Sequence, residues 1–123
     1  MKYMLLTYSP RDFDFQNFST DRPEWVGEMI AFMHQLNEDL QASGELVAAE
    51  GLADPAETRT VRLVGDEAVT TDGPYAETKE VLGGFYILEC ADLDEALRWA
   101  AQIPGAWRGR VEVRPVIDFS GQM

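Results

Sequence analysis

GGFYILECADLDEALRWAAQIPG, residues 83–105, decides the fold class. Phe85 to Cys90 is a short run apolar on both faces, the pattern of a buried strand, and Gly83-Gly84 leads into it. Asp92 follows, with Glu95 three residues later as in a capping box, and a helix is predicted from there to about Ile103 with Leu93, Ala96, Leu97 and Ala100 turned inward. Pro104-Gly105 ends it, and Trp99 and Trp107 bracket that turn. Val111 to Val116 then reads as a last strand, so this half of the chain is strand, helix, strand.

The first half repeats that order. Tyr3 to Tyr8 reads as a strand apolar on both faces, stopped by Ser9-Pro10. Phe13, Phe15 and Phe18 fall in a loop without lasting period. From Pro23 to Ser43, Trp25, Met29, Phe32, Met33, Leu36 and Leu40 keep helical spacing. Asp21 with Glu24 supplies a capping box, and Gly44 a stop that turns left-handed at little cost. Glu45 to Leu52 reads as a strand, broken by Asp54-Pro55. Thr58 to Val64 and Glu67 to Thr71 make a hairpin about Gly65-Asp66, with Val61 and Leu63 on one face and Thr60 and Arg62 on the other.

The order β-α-β-β-(β)-β-α-β predicts one α+β domain over residues 1–123, a ferredoxin-like split β-α-β with an extra hairpin. Two helices cover one face of such a sheet. Strands apolar on both sides need cover on the other face too, and the economical cover is a second copy, giving a two-fold homodimer.

Composition excludes whole classes. Twenty-two acidic against ten basic residues leave a net charge of −12, which opposes binding to nucleic acid or to anionic membranes, since both depend on Lys and Arg. A single cysteine, Cys90, forbids an internal disulfide, and one histidine beside it cannot build a zinc site. No apolar stretch approaches the roughly 20 residues that span a bilayer, and the first residues lack the pattern of a signal peptide. The expectation is a soluble cytoplasmic protein. Neither a P-loop nor a G-x-G-x-x-G segment occurs, so no cofactor and no metal are expected.

Chemistry concentrates in Thr70-Thr71-Asp72-Gly73-Pro74-Tyr75-Ala76-Glu77-Thr78-Lys79-Glu80. This segment resembles the DGPFAETKE signature of YCII-related proteins of the DGPF-motif family, with Tyr75 where the signature has phenylalanine. The similarity extends over Met1 to Leu6, Leu46 to Leu52, Thr60 to Arg62, Gly83 to Ile103 and Val111 to Val116. It implies a ferredoxin-like chain that pairs into a dimeric α+β barrel. It also implies either a small-molecule protein, some superfamily members being enzymes such as a dehydrochlorinase, or a regulatory partner of an extracytoplasmic-function sigma factor. The His–Asp acid–base pair of one relative falls here on Met33 and Ala42, both inert.

As a ligand site, Asp72, Glu77 and Lys79 are the expected catalytic groups. The two carboxylates would move protons and the ammonium would neutralise an anion, in a cofactor-free proton transfer, elimination or hydrolysis. Gly73, Pro74, Tyr75, Thr78 and Glu80 would line the pocket, with Gly83 and Gly84 giving close backbone approach and Arg62 holding an anionic group. As a structural element, Asp-Gly-Pro is ordinary turn chemistry and the rest a solvated or dimer-contact loop. His34, with Glu38 one turn later, is a further candidate base or a simple boundary residue. Arg59, Arg62 and Arg114 could hold an anion or pair with the abundant acids. Cys90, on an apolar strand without a neighbouring cation, reads as an inert thiol.

Overall fold

The computed structural model describes residues 1–10, 24–73, 79–103 and 109–119. In chain order they form β1 (Lys2–Pro10), α1 (Glu24–Ser43), β2 (Leu46–Gly51), β3 (Arg59–Val64), β4 (Glu67–Asp72), β5 (Glu80–Glu89), α2 (Leu93–Ala100) and β6 (Arg110–Pro115). Four strands make one antiparallel sheet in the order β2-β5-β1-β6, and β3 with β4 make a separate two-stranded sheet. With the hairpin set aside, the first and third strands are central and the second and fourth lie at the edges. That is the ferredoxin-like α+β arrangement expected from the element order.

Register sorts the side chains by face, because residues opposite one another in a ladder point the same way. Tyr3 lies opposite Leu88 and Leu5 opposite Tyr86. These four are buried with Leu36 and Leu40 of α1, Ala96 and Ala100 of α2, Cys90 and Ile103. Their neighbours Met4, Leu6, Phe85 and Ile87 therefore point to the other face, where each is only half-buried and no described element lies over them.

Element ends follow local chemistry. Gly44 at φ 79° ends α1, and the Asp92 carboxylate accepts the Glu95 backbone N–H at 2.9 Å to open α2. Glu95 gives its own carboxylate to Arg98 at 2.6 Å. Gly65 takes φ 63° as the first residue of the hairpin turn, where a positive φ favours glycine.

Four expectations need correction. α2 stops at Ala100 rather than near Ile103. Leu93 and Leu97 are close to half exposed, because the row that meets the sheet is Ala96 and Ala100, small enough for close approach, with Trp99 and Ile103 beside it. On α1, Phe32 is 39% exposed rather than inward; it lies at the edge of the stripe, on the side of Leu36 away from Met33 and Leu40. β5 begins at Glu80, so Gly83 and Gly84 lie inside a strand rather than before it. The aromatic loop of Phe13, Phe15 and Phe18, the side chain of Trp25, and Trp107 lie outside the described residues.

Candidate functional site

The signature segment starts at the base of the hairpin. Asp72, the last residue of β4, stands opposite Arg59, the first of β3, and its carboxylate meets the Arg59 guanidinium at 3.2 Å. Gly73 turns left-handed at φ 83°. Its N–H donates to the Thr58 carbonyl at 2.8 Å, and its carbonyl accepts the Thr60 hydroxyl at 2.8 Å. The Asp-Gly pair thus closes the hairpin, and the Asp72 side chain is 90% exposed.

At its other end the segment enters the main sheet. Glu80 is the first residue of β5 and its carboxylate lies 2.8 Å from Nε of Arg110 on β6. Arg110 stacks over the Tyr8 ring at 4.2 Å from its centroid and donates from Nη1 to the Glu112 carboxylate. Tyr8 and Arg110 are register partners, so the whole cluster sits at one end of the face turned away from the helices. The guanidinium pKa is raised, chiefly by the hydrogen bond to Glu112, so Arg110 stays cationic at every pH the fold meets. A fixed cation over an aromatic ring, flanked by carboxylates, can bind a small polar ring by stacking and hydrogen bonds.

Arg110, Tyr8 and Glu112 were not legible as site residues from the sequence. They are distant from Glu80 along the chain, and only the β1–β5 and β1–β6 registers join them. One trace was present: Gly109, where an added Cβ would lie 2.0 Å from the Tyr8 carbonyl oxygen, lets β6 meet β1 closely enough for Arg110 to reach its ring.

The remaining predicted residues are dispersed. Lys79 is exposed beside Glu80, and Pro74, Tyr75, Glu77 and Thr78 lie outside the described residues. His34 is exposed on α1. Arg62 is exposed on the hairpin, opposite Val69. Gly84 packs against backbone: an added Cβ would lie 2.7 Å from the Glu50 carbonyl oxygen of β2. Gly83 occupies the register shift between Thr7 and Tyr8. Met33 is half-buried and Ala42 exposed, both on α1. Cys90 is buried, and its thiol is pushed up to about 11 by desolvation, by its hydrogen bond to the Glu45 carboxylate and by that charge. Glu45 also accepts the Trp99 indole N–H at 3.2 Å. Among the described residues no group of three or more His, Cys, Asp or Glu side chains could hold a metal ion, and no helix is long and apolar enough to cross a membrane.

Comparison with known proteins gives three findings. The family model of the YCII-related domain matches residues 1–120. An uncharacterized protein of Rhizobium meliloti (strain 1021) is 42% identical over 76 residues, a match that spans 60% of this chain and 61% of that protein. The 5-chloro-2-hydroxyhydroquinone dehydrochlorinase of Burkholderia phenoliruptrix AC1100, solved in complex with 2,5-dihydroxybenzoquinone, superposes with a TM-score of 0.50 over 95% of this chain and 94% of its own, at 15% identity. That similarity is one of fold.

Proposed function

Because the chain belongs to the YCII-related domain family, we propose that it binds a small oxygenated organic molecule beside Glu80, the residue through which the signature segment enters the sheet. The observation that carries this is the clamp on Glu80: the last residue of the signature segment pairs with Arg110, which itself stacks on Tyr8. A ring seated there would find an aromatic surface, a permanent cation and two carboxylates within reach of one another. The fold relative's bound 2,5-dihydroxybenzoquinone makes hydroxylated aromatic acids and quinones the first compounds to offer.

Turnover there is a cofactor-free proton transfer, elimination or hydrolysis. Lys79 neutralises an anionic group at the rim, and Glu77 or Asp72 accepts the proton. Asp72 must first release Arg59 to do so, which favours Glu77. Within the family, the likeness of residues 72–80 to the DGPFAETKE signature supports assigning the chain to the DGPF-motif branch. Two copies pair sheet on sheet across Met4, Leu6, Phe85 and Ile87, in the cytoplasm. The sigma-factor alternative draws no support from the family match or from the fold relative.

A thermal-shift screen tests the binding. At a hundred times its dissociation constant a ligand stabilises the native state by about 2.7 kcal/mol, several degrees for a domain of this size. The shift should be lost in Arg110→Ala and Lys79→Ala. A ligand that stabilises both variants as much as the wild type would move the site elsewhere, and a screen of such compounds with no stabilisation would remove this substrate class.

A further inference from the structure

Two polar groups in the layer between α1 and the sheet have no hydrogen-bond partner among the described residues. The Asn37 side-chain oxygen is buried and unpaired. Tyr86 is only 6% exposed, and its hydroxyl makes no hydrogen bond; burial alone raises its pKa. Buried polar groups cost free energy unless something pairs with them. The two stand at one level of the fold, because α1 packs on β2 and runs back along it. From Asn37 to Gly44 a helix advances about 10 Å, and from Leu46 to Ala49 a strand advances about 10 Å. Asn37 is therefore level with Ala49, the register partner of Tyr86. Little fills that level from below. On its helix-facing side β2 carries only Ala49 and Gly51 after Leu46, and a Cβ at Gly51 would meet nothing within 4 Å.

We infer that this space between α1 and β2 is a second binding site, for a small neutral alcohol or phenol whose hydroxyl donates to the Asn37 oxygen and accepts from the Tyr86 hydroxyl. The surroundings select that chemistry. Leu5, Leu36 and Leu40 pack with Tyr86 in the core, so the two polar groups stand among aliphatic side chains. A buried water typically makes about three hydrogen bonds, more than these two side chains offer it. A molecule with one hydroxyl and an apolar body matches both the polar pair and the walls. It is neutral, because no charged side chain is buried among the described residues and an unpaired charge there would be costly. Gly51 is exposed and gives the ligand a way in. The site lies on the helix side of the sheet, opposite the face of Tyr8 and Arg110, and is independent of the one proposed above.

Titration of the full chain with p-cresol, followed through the Asn37 side-chain amide signal in heteronuclear NMR spectra, tests the site. p-Cresol should bind and move that signal. p-Xylene, which lacks the hydroxyl, should bind about tenfold more weakly, and Asn37→Leu and Tyr86→Phe should each weaken p-cresol about tenfold. Arg110→Ala removes the site proposed at Glu80 and should leave the p-cresol titration as in the wild type, so the two readings fail separately. Tyr86→Phe, which deletes a single oxygen, should melt no lower than the wild type when no ligand is added, since it removes an unpaired group. A lower melting temperature in that variant would mean that ordered water already pairs the two groups, and would overturn the site. So would p-cresol that fails to bind, or that binds Asn37→Leu and Tyr86→Phe as tightly as the wild type.

Discussion

Cys90 makes the plainest residue-scale statement. Its thiol is raised from an ordinary value of 9.0 to about 11, first by desolvation and then by the hydrogen bond and charge of Glu45. Between those values the unfolded chain loses its proton before the folded one, so the folded state binds more protons and stability falls as pH rises. The stabilisation is complete below pH 9 and is lost through about 11, at most about 2.7 kcal/mol in all. Denaturant melts of Cys90→Ala should therefore show a flatter alkaline decline than the wild type; identical slopes would mean the thiol is not buried as drawn. Some decline should persist in the variant, because burial raises the Tyr86 phenol in the same direction. The inert thiol was legible in the sequence, since an apolar strand without a neighbouring cation describes it fully. Gly84 was not. Its reason is the Glu50 carbonyl 2.7 Å from where a Cβ would stand, a contact between strands far apart in sequence. Gly84→Ala should force β2 outward and cost about 1–3 kcal/mol, the range for overpacking, whereas Gly51→Ala, with open space around its Cβ position, should be tolerated.

Elements were read well where one pattern governed and poorly where two competed. The strand alternation of β3 was correct because only the turn at Gly65-Asp66 sets its register. For α2 the helix, its Asp92 cap and the burial of Ala96 and Ala100 were legible, but the near-half exposure of Leu93 and Leu97 was not. Hydrophobic periodicity weights Leu93 and Leu97 by size, while packing on the sheet selects Ala96 and Ala100, which let the backbone come close. Leu97→Gln should consequently change stability by no more than about 0.5 kcal/mol, as exposed substitutions do, and Ala96→Leu, at a position with no exposure, should cost about 1–3 kcal/mol. Equal effects in denaturant melts would return Leu97 to the core. The hairpin gives the converse case. The Arg59–Asp72 pair is exposed on both sides, and such pairs contribute about 0–1 kcal/mol. Asp72→Ala should leave the melting temperature nearly unchanged, so any loss of ligand binding in that variant reports on the site and not on the fold.

At the scale of the whole molecule, the strand order followed from the sequence because two β-α-β halves have few ways to share one sheet. The candidate site was legible only at its signature segment; the other half proposed for it, Tyr8 and Arg110, is a product of that topology. Charge is legible from composition alone and makes a prediction about assembly. Bringing two copies together sets −12 against −12. A chain of this length has a radius of gyration of about 14 Å, and the Debye length is about 30 Å at 0.01 M salt and about 8 Å at 0.15 M. At low salt each copy therefore feels nearly all of the other's charge, and at physiological salt only the part near the contact. The proposed interface across Met4, Leu6, Phe85 and Ile87 would contribute no salt-sensitive attraction to offset that repulsion. Self-association measured by sedimentation should consequently tighten as sodium chloride rises through this range. Chloride is the salt to use, because sulfate would also strengthen apolar burial itself and confound the sign. Weakening with chloride would instead mean that ion pairs between the copies hold them together, and that the apolar sheet face is covered by something else.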